Sequence, residues 1–256
     1  GANLLMWHVW HLALPIGLQL LMVLSTGAVN IAGGYLATNR QKRAIQSLFG
    51  EYVPPEHVER MLDQPGDISL EGEQRTMTVL FADVRSFTAL SESLSPTELK
   101  AVLNRYLSAI TAVIFEHHGT IDKYVGDLVM AFWNAPLDDP HHARNAVQAA
   151  LAMQRRMVEL RKEFEAEGLP QFHIGIGINT GPMNVGDMGS RYRRAYTVLG
   201  DAVNLASRLE SLTDFYGVPI LVSDTTREQA SDFVYRPVDR VQVKGRQQEL
   251  VISQPL

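Results

Sequence analysis

The hydrophobic and polar positions of this chain form three different patterns along its length. From Leu12 to Leu36 no residue is charged, and an apolar stretch of this length spans about 37 Å as a helix, enough to cross a bilayer. The apolar residues near positions 44–52 instead recur at helical spacing. From residue 72 onwards, short apolar segments typical of strands alternate with long stretches of helical periodicity. The chain therefore predicts a membrane segment, a linker and one mixed α/β domain.

The flanks of the first segment favour a transmembrane helix over residues 1–37. Trp7 and Trp10 precede the apolar stretch, and Arg40, Lys42 and Arg43 follow it. Interfacial aromatic residues and a cluster of basic residues on the cytoplasmic side are typical of a membrane span. The alternatives are a buried helix and a signal peptide, which would need a basic start and a shorter apolar core. We therefore expect the remainder of the chain to face the cytoplasm.

Residues 38–71 join this segment to the predicted domain. The spacing of five apolar residues predicts that they share one helical face: Ala44, Ile45, Leu48, Phe49 and Tyr52. Pro54-Pro55 is expected to end this helix, and Pro65-Gly66 marks a second break. The pattern fits either a surface linker or a dimeric helix that transmits a signal from the membrane. The sequence begins with Gly1 rather than Met, so we expect a longer protein with an N-terminal sensor region.

Within residues 72–256, the periodicity predicts an ordered succession of strands and helices. Ser95 and Glu98 form a capping-box pattern at the start of the first long helix. Gly126-Asp127 predicts a tight hairpin turn, and Thr180-Gly181 predicts a second turn between two strands. The predicted strands are 76–82, 120–125, 128–133, 172–179, 183–189, 197–199, 219–222, 233–243 and 248–253, and the long helices are 96–118 and 141–167.

The absence of cysteine and the acidic net charge limit the kinds of site that the chain can have. The chain has 256 residues, a formal net charge of −5 and no cysteine. Without cysteine there are no disulfides and no thiolate metal sites. The acidic balance gives no reason to expect nucleic-acid binding.

Two aspartates stand where strands of the predicted domain end. Asp83 follows the strand 76–82, and Asp127 lies in the predicted hairpin turn. If the two strands are neighbours in the sheet, the carboxylates converge at one edge and suit Mg²⁺ or Mn²⁺ beside phosphate oxygens. The backbone N–H groups of Val84 to Thr88 would add anion-binding dipoles. Taken singly, each aspartate is also an ordinary turn residue or helix cap.

A second polar group lies in the stretch from Thr197 to Arg208. Gly200-Asp201 predicts a turn in which Asp201 caps the following helix. Asn204 and Arg208 are four residues apart and share one face of that helix. A guanidinium beside an amide suits an anionic, phosphate-like transition state, although an ordinary helix with an exposed polar stripe has the same spacing.

The string Leu199 to Arg208, LGDAVNLASR, resembles the signature of the class III nucleotidyl cyclases. Lys123 to Asp127, KYVGD, resembles the second motif of that family. The resemblance extends over about residues 72–256. It implies an α+β (α/β) domain with a ferredoxin-like core, working as a head-to-tail homodimer with two sites at the interface.

The resemblance also implies a role for each matching residue. Asp83, Val84 and Asp127 resemble the metal-binding positions, and two Mg²⁺ or Mn²⁺ ions are implied. Asn204 and Arg208 resemble the transition-state residues and would come from the other protomer. The implied substrate-binding positions are Lys123 and Thr197 at the purine, Lys244 at the terminal phosphate, and Phe87 and Thr88. One of the basic residues Arg191, Arg193 and Arg194 could also reach the triphosphate.

The purine-contacting pair favours ATP. In the family, Lys123 would donate to adenine N1 and Thr197 would accept from the N6 amino group. Thr197 departs from the aspartate of many adenylyl cyclases, and a hydroxyl both accepts and donates. The resemblance therefore implies an adenylyl cyclase of the bacterial membrane-anchored type, located in the inner membrane. A guanylyl cyclase and a catalytically inactive, dimeric signalling module remain as alternatives.

Overall fold

The computed structural model describes residues 20–31, 49, 52–63, 72–242 and 249–256. The chain divides into two compact units, residues 1–47 and residues 48–256. In the first unit, residues 20–31 are helical and mostly exposed. Within the described ranges, no helix combines the length and the apolar character needed to cross a membrane. Most of the predicted span, and Lys244, lie outside the described residues.

An eight-stranded sheet forms the centre of the second unit. Its order is β2-β3-β1-β4-β6-β8-β7, and β5 pairs with β4. The first four strands are antiparallel to their neighbours, and β6 is parallel to β4. The strands are β1 Glu73–Val84, β2 Thr120–Val125, β3 Leu128–Trp133, β4 Ile174–Ser190, β5 Arg193–Leu199, β6 Ile220–Val222, β7 Tyr235–Val241 and β8 Leu250–Pro255.

Helices cover both faces of this sheet. The described helices of the second unit are α1 Pro55–Asp63, α2 Phe87–Ser93, α3 Pro96–Glu116, α4 His142–Ala166, α5 Asp201–Phe215 and α6 Asp224–Gln229. Helices α3 and α4 pack with alternate residues of β1, β3 and β4 in the main core. Helix α5 packs through Leu205 and Leu209 against Leu221 of β6, on the other face of the sheet. The residues directly before and after Leu221 in β6 belong to the main core. The order β1-α3-β2-β3-α4-β4 is that of a ferredoxin-like core, so the prediction of an α+β fold is confirmed.

The strongest local patterns of the sequence are confirmed. Ser95 and Glu98 form both hydrogen bonds of a capping box at the start of α3. The hairpin of β2 and β3 turns at Gly126, whose positive φ of 67° favours glycine. The apolar face of α4 is buried along its whole length, as the helical spacing predicts.

The prediction of a turn at Thr180-Gly181 is wrong. Strand β4 continues through both residues, which pair with Thr78 and Met77 of β1. Thr180 is buried and exchanges a hydrogen bond of 2.8 Å with the hydroxyl of Thr78. Pairing with a long partner strand therefore overrides the local turn preference. The chain reverses only between β4 and β5, after Ser190.

The described residues before the sheet, 49 and 52–63, belong to the second unit. Phe49, Val53 and Met61 are almost completely buried. The carbonyl of Tyr52 accepts a hydrogen bond of 2.8 Å from the N–H of Ile121 in β2. The Pro54-Pro55 pair precedes α1, and Pro55 is its first residue, where a missing N–H costs no hydrogen bond.

Candidate active site

Asp83 and Asp127 come together at one edge of the sheet. Strands β1 and β3 pair Ala82 with Val129, which places the end of β1 beside the β2–β3 turn. The N–H of Val84 donates to Oδ2 of Asp127 over 3.2 Å. The predicted convergence of the two carboxylates is therefore confirmed, and Val84 anchors one of them through its backbone.

The ionised form of Asp83 is disfavoured in this carboxylate pair. Burial, followed by the hydrogen bond and the negative charge of Asp127, raises the pKa of Asp83 to about 7. The Oδ1 atom of Asp83 is buried and has no hydrogen-bond partner within the described part of the chain. A buried oxygen acceptor without a donor is costly unless something else binds it. The two carboxylates are thus the kind of oxygen donors that a hard divalent cation prefers.

The backbone N–H groups after β1 are only partly available for an anion. The N–H of Val84 binds Asp127, and the N–H of Arg85 donates to the carbonyl of His173 over 2.8 Å. The expectation that all five amides from Val84 to Thr88 are free is therefore wrong. Phe87 and Thr88 are the first two residues of α2, so their N–H groups lack intrahelical acceptors. Phe87 also packs against the main core, and Thr88 is exposed.

Sequence reasoning missed a third acidic residue and an arginine beside the carboxylate pair. Glu210 of α5 lies close enough for its charge to raise the pKa of Asp83, and burial raises the pKa of Glu210 itself. Within the described ranges, no group of three or more His, Asp or Glu residues has metal-binding geometry. Arg85 donates to the carbonyls of Thr213 and Val218, at 3.0 and 2.6 Å. It thereby ties the end of β1 to the end of α5.

Helix α5 carries Asn204 and Arg208 and lies directly on the sheet. A Cβ atom added at Gly177 would stand 2.1 Å from the backbone nitrogen of Glu210, so only glycine allows this approach. Asn179 donates to the carbonyl of Ala202 over 2.8 Å and fixes the first turn of the helix. Asn204 is exposed and Arg208 is half-buried, which leaves both on the face away from the sheet.

The cap of α5 differs from the prediction in one detail. Gly200, with a φ of 155°, is the N-cap residue, and Asp201 is the first residue of the helix. A carboxylate in the first turn still interacts favourably with the helix dipole.

Lys123 and Thr197 meet at a residue that sequence reasoning missed. Asp122 is buried and accepts hydrogen bonds through Oδ2 from the hydroxyl of Thr197, at 2.6 Å, and from the N–H of Val198, at 3.2 Å. Among the described residues its Oδ1 atom has no hydrogen-bond partner, but the Nζ atom of Lys123 lies 3.1 Å away. The contact is an ion pair by distance, without the geometry of a hydrogen bond. The two predicted purine-contacting residues therefore share one carboxylate.

The basic residues of the β4–β5 hairpin are exposed. Arg191 and Arg193 lie at the turn, and Nε of Arg194 is 3.2 Å from Oδ2 of Asp187. Their predicted contact with a triphosphate stays a prediction, as do the roles of Asn204 and Arg208.

Comparison with known proteins identifies the family. Residues 71–253 match the family described as the adenylate and guanylate cyclase catalytic domain. Adenylate cyclase 1 of Rhizobium meliloti is 38% identical over 217 residues, which are 84% of this chain and 32% of that protein. An adenylate cyclase of Anabaena cylindrica is 35% identical over 85% of this chain and 44% of its own length. The chain thus spans less than half the length of these relatives.

Solved structures agree with this assignment. The adenylyl cyclase CyaB from P. aeruginosa superposes with a TM-score of 0.69 and 38% identity, covering 73% of this chain and 96% of that one. The guanylyl cyclase Cya2 superposes with a TM-score of 0.68 and also 38% identity, covering 72% and 93%. The carboxylate pair, the helix with Asn204 and Arg208, and these similarities lead to one conclusion. The chain belongs to the class III family of adenylyl and guanylyl cyclases, and residues 71–253 form its catalytic domain.

Proposed function

We propose that this chain is an adenylyl cyclase that converts ATP to 3′,5′-cyclic AMP and pyrophosphate. The observation that carries this choice is the convergence of Lys123 and Thr197 on the buried carboxylate of Asp122. Lys123 presents a donor, which adenine N1 accepts, and Thr197 presents an oxygen to the 6-amino group. Overall similarity does not separate the two substrates, because CyaB and Cya2 are equally identical to this chain.

In the proposed reaction, the ribose 3′-hydroxyl loses its proton to solvent and its oxygen forms a bond to the α-phosphorus, while the bond from that phosphorus to the pyrophosphate oxygen breaks. Asp83 and Asp127 would hold Mg²⁺ or Mn²⁺, and we favour a mechanism with two such ions. The buried Oδ1 atom of Asp83, which has no hydrogen-bond partner among the described residues, supports a bound cation. A bound divalent cation supplies charge neutralisation and a more acidic 3′-hydroxyl. Asn204 orients the ribose, and Arg208 stabilises the charge that develops on the phosphate.

We further propose that the active unit is a homodimer with two sites at its interface. One protomer supplies Asp83 and Asp127, and the other supplies Asn204, Arg208, Lys123 and Thr197. A symmetric dimer of this kind has two equivalent composite sites. The exposure of Asn204 at the surface of α5 supports a partner beyond this chain.

Membrane anchoring is also a proposal. The apolar stretch Leu12 to Leu36 and the basic residues that follow it support a span in the inner membrane, with the catalytic domain in the cytoplasm. We expect carbonate extraction of membranes to leave the full chain in the pellet. Release of the chain into the supernatant would contradict a span.

The nucleotide specificity is tested with the full chain in membranes or detergent. The protein is incubated with ATP or GTP and with Mg²⁺ or Mn²⁺, and the product is identified by mass spectrometry. We expect cyclic AMP and a higher kcat/KM for ATP. An equal or higher kcat/KM for GTP would favour a guanylyl cyclase, and no product with either nucleotide would favour an inactive signalling module.

A further inference from the structure

Asp122 occupies a special place in the sheet. The pairing of β2 with β3 shifts between Ile121, which faces Ala131, and Lys123, which faces Met130. Asp122 is therefore the extra residue of a β-bulge and has no partner of its own across the ladder. Bulges re-aim a side chain relative to the regular alternation of a strand. Here the bulge directs the carboxylate towards β5, where Thr197 lies 75 residues further along the chain.

The contact between Asp122 and Thr197 fixes the direction of a hydrogen bond. An ionised carboxylate only accepts, so in the 2.6 Å contact the hydroxyl of Thr197 must be the donor. A hydroxyl has one proton and two lone pairs. Once the proton is committed to Asp122, the oxygen of Thr197 can offer only lone pairs to a third group. A threonine hydroxyl without such a carboxylate partner could instead donate or accept.

We propose that Asp122 is a specificity-determining residue, which makes Thr197 an obligate acceptor and so favours a 6-amino purine over a 6-oxo purine. The inference rests on the proposed role of Thr197 at the purine. A 6-amino group donates and matches the lone pairs of Thr197, whereas a 6-oxo group accepts and meets only another acceptor. Asp122 itself acts through Thr197 and needs no contact with the nucleotide. Because Asp122 is buried and also holds the N–H of Val198, the acceptor is fixed before any nucleotide binds.

The same carboxylate also places the second purine-contacting residue. The Lys123 side chain is 49% exposed, and its ammonium lies 3.1 Å from Oδ1 of Asp122. A long, half-exposed lysine has many rotamers, and a neighbouring charge restricts them. One carboxylate therefore sets the acceptor, Thr197, and keeps the donor, Lys123, close to it.

The test uses three triphosphates that differ at the 6-position of the purine. ATP carries the amino group, inosine triphosphate carries an oxo group, and purine riboside triphosphate carries neither. We expect Asp122→Ala to lower the ratio of kcat/KM for ATP over inosine triphosphate about tenfold, the worth of one hydrogen bond. The kcat/KM for purine riboside triphosphate should change less than that for ATP. A merely structural role would lower all three values by the same factor.

Two further variants sharpen the result. In Asp122→Asn, the amide oxygen can still accept from Thr197, so this variant should keep more discrimination than Asp122→Ala. In a Thr197→Val background, Asp122→Ala should change the ATP-to-inosine ratio much less, because the hydroxyl that it orients is gone and only its contact with Lys123 remains. The matched control is Thr120→Val in the same strand, which removes a buried hydrogen bond of 2.7 Å to the carbonyl of Ala135. That variant should leave the ratio unchanged.

The outcomes separate this inference from the proposed function. If the unmodified chain prefers GTP over ATP, the proposed function fails, whatever the variants do. If the unmodified chain prefers ATP, but Asp122→Ala keeps the ATP-to-inosine ratio within about twofold, the role of Asp122 is overturned alone.

Discussion

The Asp83–Asp127 pair and the Asp122 group, which lie near the two ends of strand β2, differ in how their negative charge is balanced. At the turn, Asp83 and Asp127 are two like charges in a partly buried place, and one carboxylate oxygen has no donor. Near the start of β2, the single buried carboxylate of Asp122 accepts two hydrogen bonds and lies beside an ammonium. Only a few residues of one strand separate the two groups.

This difference indicates what each group still needs. The Asp83–Asp127 pair is incomplete without a positive charge, because proximity of two carboxylates in a desolvated site raises the free energy of the ionised state. The Asp122 carboxylate already has the ammonium of Lys123 beside it in the free protein, and the group presents a preorganised pattern of one donor and one acceptor. Changes at the first group should therefore abolish turnover of every nucleotide, whereas changes at the second should alter which nucleotide is chosen.

The largest effect is expected at the carboxylate pair. Asp83→Asn and Asp127→Asn should each lower kcat by at least about 100-fold with ATP and with GTP. Loss of an outer-shell group near a metal already costs 10–100-fold, and a direct ligand should cost more. Product formation is measured by mass spectrometry, and the fold is checked by circular dichroism. Near-normal turnover in either folded variant would contradict the metal assignment.

An effect of intermediate size on cyclase activity is expected when two inactive variants are co-expressed. Asp127→Ala and Arg208→Ala homodimers each lack one half of both sites. A mixed dimer has one site with both residues intact and one with both lesions. Random pairing makes half of the dimers mixed, so co-expression should restore about a quarter of normal activity for a symmetric dimer.

The control for this experiment is co-expression of Asp83→Ala with Asp127→Ala. Both lesions then fall on the same half of the site, and no combination of protomers restores it. If tagged mixed dimers of Asp127→Ala and Arg208→Ala form but stay inactive, each site lies within one chain.

The sequence predicted the parts of the site that depend on local order. The hairpin turn at Gly126-Asp127 and the shared face of Asn204 and Arg208 follow from spacing over a few residues, and the structure has both. The convergence of Asp83 with Asp127 needed one assumption about neighbouring strands. These features are predictable because turns and helix faces are set by the nearest residues.

Features that depend on distant segments could not be predicted. Thr180-Gly181 resembles a turn, but the residues of β1 that pair with it lie about a hundred positions earlier. Asp122 is unremarkable in sequence, since its importance arises from a bulge and from a strand that comes much later. Gly177 shows no turn signal either, and the reason for glycine there is the backbone of α5.

The smallest effect expected concerns the stability of the metal-free protein. Folding raises the pKa of Asp83 to about 7, so between its ordinary pKa and about pH 7 the folded state binds a proton that the unfolded state has lost. The stabilisation from this proton is complete below the ordinary pKa and is lost as the pH rises through 7. Without metal, the Tm should therefore fall between pH 5 and pH 8. Mg²⁺ or Mn²⁺ should raise the Tm more at pH 8 than at pH 5, because the cation competes with the proton.

The Asp83→Asn variant isolates this contribution, because other groups titrate in the same range. Burial lowers the pKa of His142, so that group loses stabilisation as the pH falls, the opposite direction. Glu210 has a raised pKa and acts in the same direction as Asp83. Both remain in the variant, and the difference in Tm between the two proteins reports Asp83. Each kcal/mol moves the Tm of a domain of this size by roughly 2–4 °C. We expect the difference to change by a few degrees across this range, and parallel pH profiles for the two proteins would show that the carboxylate pair is not strained.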